Sequence, residues 1–142
     1  MSRPATLPLL AVLLLPMLFL RPGAAAAEGL SLELNKLQED GRGCLATFLI
    51  GNHFAQALDR FSLDLFVFNE QGVIADRLLI DLAPLRAGKT TVATFAINGG
   101  ACNGVSRLLL HDVPACRADG GGKPDCLGGL KLGSRTKIEL IK

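Results

Sequence analysis

The feature that most constrains this chain is a run of three predicted β-strands, with their turns, that spans residues 61–97. Within residues 61–68, apolar and polar side chains first alternate with the period of two expected of a half-buried strand. The second half of this strand is apolar on both faces, which predicts a central position in a sheet. Residues 73–82 and 90–97 supply the next two strands. Because the connections are short, the three strands are predicted to form a meander.

Turn residues separate these strands. Asn69 can bond its own backbone and Gly72 can adopt a positive φ, so residues 69–72 are predicted to reverse the chain. Asp76 interrupts the apolar side of the second strand. Four residues of that strand are nevertheless expected to share its inner side: Ile74, Leu78, Ile80 and Leu82.

Residues 1–27 have the composition of an export signal. Arg3 precedes an apolar run of 14 residues, 7–20, and four alanines follow at residues 24–27. Cleavage is expected after Ala27, which would leave residues 28–142 as a single domain. The run is shorter than the roughly 20 residues that span a bilayer, so stable membrane insertion is not expected after cleavage. An uncleaved anchor is the alternative.

The charge balance gives no reason to expect a nucleic-acid partner. The chain has 15 Lys and Arg residues and 13 Asp and Glu residues, and removal of Arg3 and Arg21 with the signal leaves 13 of each sign. The expected mature chain is therefore formally neutral, and its charges are interspersed. It also lacks Trp and Tyr, the side chains that commonly form base-stacking or sugar-binding platforms.

Four cysteines in an exported chain predict two disulfides, for which three pairings are possible. We favour Cys116 with Cys126, because the loop between them contains glycine and proline and a local bridge would staple it. That choice leaves Cys44 with Cys102, both at predicted strand beginnings. A periplasmic or secreted location follows as an expectation from the signal and the cysteines together.

Strand patterns also flank the meander. Residues 30–35 alternate with one polar face, residues 44–50 look buried on both sides, residues 105–113 centre on three leucines, and residues 136–141 form a last strand. About seven short strands with little helix favour an all-β fold: an antiparallel immunoglobulin-like β-sandwich preceded by a signal peptide.

Two turns of the meander carry a family resemblance. An apolar strand is followed by the Glu-Gln-Gly turn of residues 70–72, and a Leu-Arg-Ala-Gly-Lys turn at residues 85–89 precedes the third strand. This pattern resembles that of small bacterial FxLyD-like sandwiches, and the whole chain resembles short exported alphaproteobacterial proteins. The resemblance implies a fold and a compartment but no functional residues. It departs from the family pattern where Phe68 is followed by Asn69, since an aromatic–acid pair is expected there.

Reactive chemistry finds little support in the sequence. His53 and His111 are the only histidines, and no serine lies in a Gly-x-Ser-x-Gly context that would activate it. A zinc site from cysteines and histidines lacks any Cys-x-x-Cys spacing, so neither a metal nor another cofactor is predicted. The alternative hypothesis is a periplasmic metal-binding protein or small enzyme that uses His53 or His111.

The long loop between Cys116 and Cys126 is the predicted recognition element, because loops on rigid β-scaffolds often carry binding residues. Its candidate contact residues are Arg117, Asp119, Lys123 and Asp125. The hypothesis is a non-catalytic exported interaction or accessory module with an unknown protein partner in the cell envelope. An open sheet edge that accepts a partner's strand is a second possible binding mode.

Overall fold

The computed structural model describes Met1 and residues 29–98 and 100–142. The signal predicted for residues 1–27 lies outside the described residues except for Met1. The described residues form eight strands and one short 3-10 turn. Their bounds are β1 (Leu30–Asp40), β2 (Gly43–Asn52), β3 (Leu58–Asn69), β4 (Ile74–Asp81), β5 (Lys89–Asn98), the 3-10 turn (Cys102–Gly104), β6 (Val105–Ala118), β7 (Leu130–Ser134) and β8 (Glu139–Ile141). Among these residues there is no helix of the length and hydropathy needed to cross a membrane.

The strands form two four-stranded sheets that pack as a sandwich. The first sheet has the order β5-β2-β1-β7, and the second has the order β4-β3-β6-β8. The predicted all-β sandwich is therefore confirmed. The immunoglobulin arrangement is followed by β1, β2 and β5 of the first sheet and by β3, β4 and β6 of the second. The chain places β1 and β2 in the first sheet, β3 and β4 in the second, β5 in the first and β6 in the second.

The last two strands differ from the prediction. β7 was not predicted, and both β7 and β8 pair in parallel with their neighbours, β1 and β6. The five residues of β7 lie in a glycine-rich stretch with no long alternating pattern, so only the neighbouring β1 defines them as a strand. A long connection follows β6 and brings β7 into the first sheet. There β7 runs in the same direction as β1, so the two strands pair in parallel.

The core lies between the two sheets and consists of the inward residues of each strand. Phe48 and Phe61 are its largest fully buried members, and Phe48 packs against Phe95 with 5.7 Å between ring centroids. In β2, buried side chains alternate with half-buried ones. The expectation that this strand is buried on both sides is wrong, because no further layer of the described residues covers the outer face of the first sheet.

A register shift in the second sheet changes the predicted inner side of β4. Leu78 and Ile80 pack against the core, but the pairing slips between Val67 and Phe68. Ile74 therefore lies opposite Phe68 and is 53% exposed. The prediction that Ile74 points inward is wrong because one irregular step in an antiparallel ladder moves a side chain to the other face.

Each of the two disulfides joins a strand to a connecting segment. Cys44, at the start of β2, is bonded to Cys102, with a Cα–Cα distance of 4.7 Å. Cys116, near the end of β6, is bonded to Cys126, with a Cα–Cα distance of 6.3 Å. This is the pairing that the sequence favours. Two disulfides fit a protein of an oxidising, extracytoplasmic compartment.

Candidate binding surface

The loop predicted as the recognition element begins with a tight turn. The Ala118 N–H donates to the Gly122 carbonyl, and the Gly121 N–H donates to the Ala118 carbonyl. Gly120 and Gly121 have φ values of 89° and 95°, which glycine adopts without steric cost. The chain therefore reverses directly after β6.

The four candidate contact residues of this loop do not converge on one site. Arg117 makes a two-pronged ion pair with Asp59, in which Nε and Nη2 donate to the carboxylate at 3.0 and 2.8 Å. Hydrogen bonds from Arg117 hold the pKa of the Asp59 carboxyl below its usual value. Asp125 accepts a hydrogen bond from the Gly128 N–H and so shapes its own turn. Asp119 and Lys123 have exposed side chains.

The two histidines lie on opposite sheets. The His53 Nε2 lies 3.1 Å from the Ser31 hydroxyl oxygen at the first sheet. The ring of His111 stands edge-on to Phe66 on the outer face of the second sheet, 5.4 Å between centroids. The structure does not bring the two histidines together. Within the described residues, no group of three His, Cys, Asp or Glu side chains is placed to hold a metal ion.

The outer face of the second sheet carries an apolar surface that the sequence reasoning did not assign. A cross-strand row runs from Arg77 in β4 through Phe66 and Leu109 to Ile141 in β8. Directly opposed residues in a sheet share a face, and Leu65, Leu108 and Leu140 beside them are buried in the core. This row therefore points to solvent.

Neighbouring rows extend this surface. Phe68 lies beside Ile74 and Arg107, and Leu79 lies beside Asp64. Three of these outward side chains are well exposed: Leu79 at 70%, Ile74 at 53% and Ile141 at 37%. We define the aromatic face as six apolar residues of the second sheet: Phe66, Phe68, Ile74, Leu79, Leu109 and Ile141.

Two arginines are stacked on the phenylalanine rings of the aromatic face. The Arg77 guanidinium carbon lies 5.2 Å from the Phe66 ring centroid, and the Arg107 guanidinium carbon lies 4.7 Å from that of Phe68. Attraction between a cation and the electron-rich face of a ring holds such pairs together. Each ring is thus partly covered while each guanidinium remains available at the surface.

A nearly buried carboxylate holds Arg77 in place. Nε and Nη2 of Arg77 donate to the two carboxylate oxygens of Asp64 at 2.9 and 2.8 Å, and the Asp64 side chain is only 5% exposed. These hydrogen bonds lower the pKa of Asp64; the charges of Arg77 and His111 act in the same direction, while burial opposes them. The same contacts raise the pKa of the Arg77 guanidinium.

The sequence contained one signal for this surface. Phe66 and Phe68 break the alternation of β3, a pattern that predicts a central strand, and β3 does lie between β4 and β6. Both side chains are half-buried on the outer face of this sheet. The same pattern arises from a covered strand and from a strand with an apolar outer surface, so the local sequence does not separate them.

Comparison with known proteins adds nothing to this geometry. The chain matches no protein-family model, no curated protein and no solved structure. The resemblance to FxLyD-like sandwiches therefore remains a proposal.

Proposed function

We propose that this protein is a non-catalytic exported binding module of the periplasm whose aromatic face holds a protein partner in the cell envelope. The observation that carries the proposal is the combination, on one open sheet face, of exposed aliphatic side chains with two arginines stacked on phenylalanine rings. Aromatic residues and arginine are enriched at protein interfaces, and they dominate the residues whose truncation weakens binding most.

Prior ordering of the surface favours binding. Phe66 lies on β3, which is paired on both sides, and Asp64 fixes the guanidinium of Arg77 before any partner arrives. A side chain that is already ordered loses less conformational entropy when an interface forms. A partner with a complementary apolar patch would displace water from Leu79 and Ile141, which protrude beside this fixed centre.

The test compares partner recovery by two matched variants. A tagged protein, produced from its full-length sequence in its native host, is cross-linked in the intact envelope and the recovered partners are identified. The double variant Leu79→Lys with Ile141→Lys should lose a partner that the parent recovers. The control, Asn35→Lys with Gln38→Lys, adds the same charge at exposed positions of β1 and should retain it.

Partner recovery by these two variants shows whether the partner binds at the aromatic face or at another surface. Equal recovery by both variants, with unchanged melting temperatures, would rule out the aromatic face as the binding surface.

Intact-mass measurement of the purified protein also tests the export proposal, because cleavage after Ala27 gives a chain that starts at Glu28. A stoichiometric metal in the same sample would overturn the non-catalytic reading and favour the alternative that uses His53 or His111.

A further inference from the structure

The outer edge of β5 is the feature that carries a further inference. β5 is the last strand of the first sheet, and in the described residues its outer side pairs with no strand. Residues 90–97 read Thr-Thr-Val-Ala-Thr-Phe-Ala-Ile, with no charge and no proline. An edge of this kind presents free backbone N–H and C=O groups to solvent, and natural proteins usually protect such edges.

The other strand edges carry protection of the usual kinds. β4, the corresponding edge of the second sheet, is interrupted by Asp76, Arg77 and Asp81. β7 and β8 have only five and three residues, so each offers a short edge. The part of β6 that extends beyond β8 includes Pro114, which has no N–H to donate. β5 alone is long and unprotected among the described strands.

We propose that β5 pairs antiparallel with β5 of a second copy of this chain, which joins two first sheets into one continuous eight-stranded sheet. A second copy is the favoured occupant because the edge is neutral: a two-fold axis places each residue near its own equivalent, which would repel if it were charged. Residues 90–97 meet this requirement and the charged β4 edge does not.

Side-chain alternation restricts the register of this pairing. Thr90, Val92, Thr94 and Ala96 point outward and are exposed, whereas the intervening residues point toward the core. Opposed residues in a continuous sheet share a face, so the numbers of two opposed residues must both be odd or both be even. The two-fold axis then lies midway between the two copies of one residue. An axis at Thr94 keeps Lys89 outside the paired region. It also sets Val92, which is 64% exposed in the single chain, opposite Ala96 of the second copy.

The pairing should be measurable but weak. A single strand pair buries less than the roughly 1,200 Å² of a standard stable interface. The expected behaviour is a monomer–dimer equilibrium with a dissociation constant of about 10–100 µM. Analytical ultracentrifugation of the protein produced from its full-length sequence would measure this constant.

Cysteine cross-linking tests the register directly. With the axis at Thr94, the two copies of Thr94 lie opposite each other at a Cα separation of about 4.5–5.5 Å, within the range of a disulfide. Thr94→Cys should therefore form a covalent dimer under mild oxidation. The control Val92→Cys also lies at an exposed position, but its two copies would lie about 13 Å apart along the strands and should not cross-link.

Charge substitution tests the edge independently of register. Val92→Lys with Ala96→Lys places four lysines in the paired region and should shift the dimer at least about tenfold toward monomer, since like charges opposed across a sheet are unfavourable. Asn35→Lys with Gln38→Lys should leave the equilibrium unchanged. Three results would each overturn the proposal: a monomer at about 1 mM, a dimer unaffected by the β5 lysines, or equal cross-linking by the two cysteine variants.

Discussion

The two disulfides offer a quantitative test of how this fold is stabilised. Cys44 and Cys102 are 58 residues apart, and Cys116 and Cys126 are 10 residues apart. In the chain-entropy description, a bridge stabilises the fold by restricting the unfolded chain, by about 4 kcal/mol for the long loop and about 3 kcal/mol for the short one. Either value is a large fraction of the roughly 5–15 kcal/mol that stabilises a domain.

The perturbation is paired removal: Cys44→Ala with Cys102→Ala in one variant, and Cys116→Ala with Cys126→Ala in the other. Each pair contains one buried cysteine, Cys44 or Cys126, so the loss of packing is similar in both variants and largely cancels in the comparison. The remaining difference comes from loop length, and 1.5RT ln(58/10) gives about 1.5 kcal/mol. The Cys44/Cys102 variant is expected to be the less stable.

Urea unfolding at neutral pH measures both free energies. The slope against urea should also rise in the Cys44/Cys102 variant, because a denatured state without the long-range bridge exposes more surface. An equal loss in both variants, or a larger loss from the short loop, would refute the loop-length argument. A thiol titration of the denatured parent protein, expected to detect no free thiol, verifies that both bridges are present at the start.

Two further predictions concern polar contacts. Hydrogen bonds from Arg77 hold the pKa of Asp64 below its usual 3.8. The stability that this carboxylate contributes is therefore complete above pH 3.8 and is lost as the pH falls through the lower folded pKa. Urea unfolding of Asp64→Asn should show a shallower loss of stability below about pH 4. In Gly51→Ala the added methyl would meet the Ser31 hydroxyl and approach the His53 Nε2 to 2.8 Å. Because both contacts are the ends of side chains that can turn aside, and His53 is exposed, we expect a loss of at most about 1 kcal/mol, together with a change in the NMR signals of the His53 ring.

Each of these predictions has a control. The carboxyls of Asp59, Asp40 and Glu33 also have lowered pKa values, so Asp64→Asn should reduce the acid dependence without abolishing it; an unchanged profile would contradict the assigned role of Asp64. Gly41→Ala adds a methyl with nothing within 4 Å and should change stability by less than about 0.5 kcal/mol. If both glycine variants behave alike, the contact above Gly51 is not a constraint.

The local pattern of the chain was sufficient to predict most of the strands. The alternation in β1, β2, β3 and β5 sets which side chains enter the core, because successive residues of a strand point to opposite faces whatever lies beside them. The cysteines carried a second constraint: a short glycine- and proline-containing loop favoured one pairing, and the structure has that pairing.

The sequence alone determined an all-β chain with an apolar inner period and two bridges; the tertiary structure decided its edges and its outer surfaces. The alternation pattern places Ile74 on the wrong side of its strand, because the bulge in the β3–β4 pairing depends on residues distant in sequence. It predicts no strand at β7, because that strand depends on its parallel neighbour β1. The apolar outer side of Phe66 and Phe68 is a surface only because the described residues form two layers and supply no third layer to cover it. The period of a strand is local, whereas its neighbours and the cover over its outer face depend on non-local packing.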